Sequence, residues 1–173
     1  MQAPDTVVVM GVSGTGKTTF GSLLAARLDV PYAEADDFHP PANIAKMSVG
    51  VALDDDDRRP WLDAVGAWAR SRDGLGGVVS CSALKRAYRD RLRAVAPNVF
   101  FVHLAGDRSL IAARLHGRTG HFMPPDLLDS QFAALEPLGD DERGVTLSVE
   151  AEPPTLTERA LGVLPGAEAS RGS

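Results

Sequence analysis

The sequence predicts an α/β fold: a mostly parallel sheet with helices on both faces. Three observations predict it. Short apolar, β-branched runs alternate with segments of helical period along the chain. A glycine-rich turn over residues 11–16 separates the first such run from the first such segment. The length, 173 residues, suits one hydrophobic core, and one domain is expected over residues 1–165.

Each element has its own signal. Thr6–Met10 is β-branched and apolar, a buried strand, and Thr18–Leu28 follows with Phe20, Leu23, Leu24 and Leu28 at helical spacing. Val30–Ala33 reads as a short second strand, with Glu34, Asp36 and Asp37 at its C-terminal end. A short helical piece is expected around Ala42–Met47. Pro60 suits the first position of a helix, where a missing N–H costs nothing, and Trp61, Leu62, Val65, Trp68 and Ala69 form that helix's apolar stripe. The turn residues Asp73, Gly74 and Gly76 introduce a third strand, Gly77–Cys81, and an arginine-rich helix from about Ala83 to Val95 follows. Pro97 and Asn98 bound a fourth strand, Val99–Leu104. Ser109–Leu115 and Leu127–Leu135 have helical spacing, and the polar stretch between them, residues 114–124 with Gly117 and Gly120, reads as a small flap. Val145–Val149 is the last strand, Leu156–Leu164 the last helix, and residues 166–173 read as a loose tail. In a sheet of this kind the ligand site lies beyond the C-terminal ends of the strands.

Composition narrows the function. With 44% hydrophobic and 24% charged residues the chain is neither collagen-like, coiled-coil nor disordered. The net charge of −5, with no long basic block, argues against a nucleic-acid partner. The single cysteine, Cys81, has no partner for an internal disulfide and fits a reducing compartment. The apolar run Val7–Met10 is too short to be a secretory or spanning segment, so a cytoplasmic location and no membrane association are expected.

Gly11-Val12-Ser13-Gly14-Thr15-Gly16-Lys17-Thr18 fills every position of G-x-x-x-x-G-K-[ST], between a strand and a helix as that motif requires. Glycines let the backbone amides turn around phosphate oxygens, and the helix adds its positive end. Lys17 is expected on the outer phosphates and the Thr18 hydroxyl on Mg²⁺. The third and fourth strands end without a metal-binding aspartate, and no guanine-reading Asn-Lys-x-Asp occurs, which disfavours a motor ATPase or a GTPase switch. A small kinase acting on a small molecule remains.

The acceptor side is expected at Glu34-Ala35-Asp36-Asp37-Phe38-His39, at the end of the second strand. A hydroxyl acceptor needs a carboxylate to orient it and take its proton; Asp36 is assigned that role, and Glu34 a metal-bound water. His39 reads either as a ligand of a polyol hydroxyl or as a loop cap. Asp54–Asp57 precede a helix and suit its N-terminus. Arg58 either turns inward as a fork for a carboxylate or phosphate, or faces solvent. Lys85 and Arg89, four apart, share a helix face that is either an anion site or a solvated basic edge. Arg114, Arg118 and His121 belong to the flap, where they either fold over the transferred phosphate or carry surface charge. Cys81 reads as a small packed residue, because no base is paired with it.

These blocks together resemble the gluconate kinases, small phosphate-loop kinases related in fold to shikimate and adenylate kinases. The resemblance is carried by GVSGTGKTT from Gly11, ADDFHP from Ala35, NIAKMSVG from Asn43, LDDDDRRPWL from Leu53, CSALKRAYRDRLR from Cys81, FVHLAGD from Phe101 and HFMPPDLLDSQFAALEPL from His121. It covers residues 7–150. The resemblance implies a P-loop NTPase-type three-layer sandwich with a five-stranded parallel sheet, a homodimer, and transfer from ATP to D-gluconate giving 6-phospho-D-gluconate. It implies that Gly11, Val12, Ser13, Gly14, Thr15, Gly16, Lys17, Thr18 and Thr19 hold the nucleotide with Arg114 and Arg118, and that Asp36, His39, Arg58, Lys85, Arg89 and His121 face the acceptor. Lys17, Asp36 and Arg118 would then carry catalysis, and Thr18 and Glu34 the metal. Thr15 and Thr18 replace serines common in the loop, Ala52 a usual proline, and His103 a residue that is often Tyr; none removes a group the chemistry requires. Two alternatives stand beside this reading: a kinase for another small sugar acid or polyol, and a nucleotide-binding regulatory protein without turnover.

Overall fold

A computed structural model of the chain describes residues 5–116 and 125–165. Five parallel strands, β1 (Thr6–Met10), β2 (Tyr32–Glu34), β3 (Gly77–Ser80), β4 (Phe100–Ala105) and β5 (Gly144–Ser148), form one sheet in the order β2-β3-β1-β4-β5. Val8 lies opposite Val79 on one side and Phe101 on the other, so β1 is the central strand. Parallel strands need crossovers, and helices supply them: α1 (Lys17–Leu28), α2 (Pro41–Ser48), α3 (Asp55–Ser71), α4 (Arg86–Val95), α5 (Arg108–His116), α6 (Pro125–Ala134) and α7 (Pro153–Val163).

The alternation of side chains along β1 divides the core into two layers. Val7 and Val9 pack with Phe20 and Leu24 of α1, Ile111 of α5, Leu128 of α6 and Leu156 and Ala160 of α7. Val8 and Met10 pack with Trp61, Leu62 and Val65 of α3 and Leu92 of α4. Both faces are therefore covered, which is why β1 reads as an unbroken apolar run. Among the described residues no helix is long and apolar enough to cross a membrane.

Three expected helix starts are corrected; the last helix, expected from Leu156, begins at Pro153, whose missing N–H suits a first turn. The helix expected to begin at Pro60 begins at Asp55 and carries Pro60 inside it. Asp54 accepts from Asp57 N at 2.7 Å while Asp57 Oδ2 accepts from Asp54 N at 3.0 Å, a reciprocal cap that fixes the start five residues earlier, with acids in the first turn. The helix expected from Ala83 begins at Arg86, because Ala83 takes a left-handed φ of 44° that no helix continues through. Residues 117–124 of the expected flap, with Arg118 and His121, and the tail over residues 166–173 lie outside the described residues.

Candidate functional site

The glycine-rich turn leaves β1 and enters α1. Gly14 and Gly16 have φ of 88° and 87°, which disfavour any side chain, and a Cβ at Gly14 would lie 2.7 Å from Leu115 Cγ. Thr15 Oγ1 donates to the Val12 carbonyl at 3.0 Å and closes the loop on itself. Lys17 Nζ donates to the carbonyls of Gly11 and Val12, each at 2.9 Å. Burial lowers its pKa to about 8, against the opposing pull of nearby negative groups, Asp36 and Glu34 among them.

At the start of α1 the Thr18 hydroxyl donates to Glu34 Oε1 at 2.7 Å, and the Tyr32 hydroxyl donates to the same oxygen at 2.6 Å. Burial, reinforced by the bond to Glu34, pushes the Tyr32 phenol up to about 12, so it stays a donor. The two expected metal residues are thus in direct contact. A hydroxyl and a carboxylate are hard oxygen donors of the kind Mg²⁺ takes together with water and phosphate oxygens. Among the described residues no group of three or more His, Cys, Asp or Glu could hold a metal alone.

Beside the loop opens a cleft of about 760 Å³ at the C-terminal ends of the strands. Asp36, His39, Arg58, Lys85, Tyr88 and Gln131 are among its lining residues. The Asp36 side chain is 89% exposed, free to meet a ligand, and His39 Nε2 lies 4.0 Å from its Oδ1. The His39 ring stacks on Trp61, centroids 4.5 Å apart. Arg58 turns to the cleft: Nη1 donates to the Tyr88 hydroxyl at 3.3 Å and stands 3.7 Å from Asp55. Tyr88 in turn donates to Asp55 at 2.5 Å, and Lys85 Nζ is 3.5 Å from the same carboxylate. One acid and one phenol therefore hold two cations at the cleft wall. Cys81 is buried and its thiol is pushed up to about 12 by that burial, as a packed residue would be.

Arg89 is a correction. Its guanidinium is fully buried, paired with Glu142 at 2.8 and 2.9 Å, and bonded to the carbonyls of Ala83, Leu84 and Pro137. Five donors so occupied leave none for an anion. Lys85, expected on the same helix face, is instead the extended cap residue before α4 and lines the cleft, whereas Arg89, inside the helix, is buried, so the two do not share a face. Arg114 donates to the Val149 carbonyl just beyond β5. Thr19 is exposed on α1. His103, on β4, is 3% exposed and is not among the cleft residues.

The sequence assigns Gln131 no role of its own, and the structure gives it one contact set. From α6 its Oε1 accepts from Ser13 N at 2.7 Å and its Nε2 donates to Ser13 Oγ at 3.0 Å, so one side chain touches both the loop and the cleft. The available signal was a polar residue at a helical position between Leu128 and Leu135. Tyr88, three residues after Lys85, is likewise silent in the sequence and lines the cleft in the structure. A second hollow of about 240 Å³, lined by Thr6, Ala69, Asp73 and Asn98 among others, lies at the other end of the strands, away from this chemistry.

Comparison with known proteins agrees with this geometry. The shikimate kinase family profile matches residues 13–130. A gluconokinase of Gluconobacter oxydans is 48% identical over 160 residues, spanning 91% of this chain and 90% of that protein. The thermosensitive gluconokinase of Escherichia coli is 43% identical over 160 residues, 91% of this chain and 86% of that one. The crystal structure of a gluconokinase from Sinorhizobium meliloti superposes with a TM-score of 0.84 at 47% identity, covering 94% of this chain and 92% of that one.

Proposed function

Since the chain belongs to the shikimate kinase family and, within it, to the gluconokinases, it is a kinase that phosphorylates D-gluconate with ATP, and we propose how its own residues carry that transfer. The observation that supports the assignment is that the phosphate loop and the Asp36 carboxylate border the same end of the sheet, with Gln131 bonded to the loop at Ser13 and lining the cleft that Asp36 also lines.

Residues 11–19 hold the nucleotide phosphates through backbone amides and Lys17, assisted by Arg114 and Arg118. Asp36 accepts a hydrogen bond from the terminal hydroxyl of gluconate, orients it toward the phosphorus and receives its proton. Arg58 and Lys85 take the sugar-acid carboxylate, as their shared tether to Asp55 and Tyr88 supports. His39 and His121 bind acceptor hydroxyls. Thr18 and Glu34 would hold Mg²⁺, which when bound supplies charge neutralisation on the phosphates. Arg118 stabilises the charge spread over the transferring group. The protein acts as one kinase domain, as a homodimer, in the cytoplasm.

The test is ADP release by the purified protein with Mg-ATP and D-gluconate, shikimate, glycerate or water alone. Stimulation by gluconate alone is expected. A folded, ATP-binding protein stimulated only by another acid, or by none, overturns the acceptor assignment.

A further inference from the structure

The acceptor side of the cleft holds one histidine from two directions, its face and its Nδ1 edge. His39 stacks on Trp61 with ring planes within 11°, and Trp61 is itself pinned by its indole N–H, which donates to the Ala35 carbonyl at 2.6 Å. Along the edge of the His39 ring, Asn43 Nδ2 lies 3.2 Å from Nδ1. The same Nδ2 donates to the Asp57 carbonyl at 2.8 Å.

That second contact decides the first. A carbonyl only accepts, so the amide nitrogen of Asn43 must face Asp57; the reversed amide would set two oxygens 2.8 Å apart around a side chain only 3% exposed. One N–H of the amide is then spent on Asp57, and the other points at His39 Nδ1, which must accept it. A ring nitrogen that accepts carries no proton, so the proton of the neutral imidazole is on Nε2. Burial first, and then Arg58, hold His39 below the usual histidine pKa against the pull of Asp36, which keeps the ring neutral at pH 7.

We infer that Asn43 is a positioning residue that locks His39 in the Nε2–H tautomer, so that the ring meets the acceptor as a hydrogen-bond donor only. Nε2 stands 4.0 Å from Asp36 Oδ1, too far for a bond between them but a gap that one oxygen can bridge. A hydroxyl oxygen there accepts from His39 and donates its proton to Asp36. The pair thus reads a group having both a lone pair and a proton, as an alcohol does, and rejects an ammonium, which has no lone pair. His39 is removed as a proton acceptor and Asp36 is left as the base. This inference rests on the acceptor-side reading of His39 and Asp36, whereas its first test does not.

That test is a long-range proton–nitrogen correlation spectrum of the imidazole rings in the full-length protein at pH 7.5, with His39 assigned by its loss in His39→Gln. The expected pattern is a single neutral ring with Nε2 protonated. A protonated Nδ1, or an average of the two tautomers, overturns the proposal. In Asn43→Ala the pattern is expected to move to a tautomer average; a folded variant that keeps the pure Nε2–H form shows that Asn43 is not the lock. Should that variant fail to fold, two others decide. Glutamine carries its amide nitrogen near the Nε2 position and asparagine near Nδ1, so His39→Gln should hold the KM for gluconate within about threefold while His39→Asn raises it about tenfold or more. Equal losses in both overturn the donor role. If the wild type shows the expected tautomer yet no gluconate-dependent turnover, the acceptor assignment fails and the lock stands.

Discussion

Gln131 grips Ser13 with both ends of its carboxamide, accepting from the backbone N–H at 2.7 Å and donating to the hydroxyl at 3.0 Å. The contact joins α6 to the phosphate loop across 118 residues of chain. Replacing Gln131 by Leu keeps the size and removes both bonds. The nucleotide-free protein is expected to lose about 1–2 kcal/mol, read as a lower urea midpoint at unchanged slope. An unchanged midpoint would mean that the clamp contributes nothing to the resting fold.

Asp36 faces solvent and forms no side-chain hydrogen bond among the described residues, so it has little structural work to lose. Asp36→Asn should leave the melting temperature and ATP binding nearly unchanged and reduce kcat with gluconate by about 10²-fold or more. Calorimetric ATP titration beside a turnover assay separates the two effects, and an unaltered kcat removes Asp36 from its role.

Glu142 is the buried partner of Arg89 and Arg93. Burial alone would raise its pKa, but hydrogen bonds from Arg89, the Gly139 amide and Arg93 outweigh that and hold it at about 2, below the ordinary 4.5. A carboxylate depressed in this way contributes stability that is complete above pH 4.5 and lost as the pH falls toward 2. Glu142→Ala leaves a buried guanidinium unpaired and should cost about 3–5 kcal/mol in a denaturant melt at pH 7. A loss below about 1 kcal/mol would show that water reaches Arg89.

His103 has the opposite chemistry. Neither ring nitrogen has a hydrogen-bond partner among the described residues, and burial, with Arg89 and Lys17 acting in the same direction, lowers its pKa to about 4. The unfolded chain takes up a proton near pH 6.5 and the folded chain only near 4, so this stability is complete above 6.5 and lost as the pH falls through that window. The loss amounts to about 3 kcal/mol. His103→Leu should flatten the stability profile between pH 6.5 and 4 relative to the wild type; parallel profiles would contradict the assignment.

Local features were readable from the residues alone. The phosphate loop is a run of eight consecutive residues, and the strands and helices follow from short apolar, β-branched runs and from a period of 3.6 that a short window contains. Asp36, Arg58 and Lys85 were legible because each stands at the end of a strand or the start of a helix, where an α/β sheet exposes side chains to its ligand. Boundaries were less legible: Pro60 pointed to a helix start, but the cap between Asp54 and Asp57 is a reciprocal pair whose strength shows only once both backbone amides are free to be capped. Which charges are available depends on long-range packing. As basic residues the sequence places on one helix, Arg89 and Lys85 look alike, and what separates them is Glu142, 53 residues away, which meets Arg89 after the chain has passed through β4, α5 and α6. Gln131 and Tyr88 meet Ser13 and Asp55 in the same way. A hydrogen bond depends on distance and angle between two atoms, and between distant parts of the chain those are set by the packing of helices on both faces of the sheet.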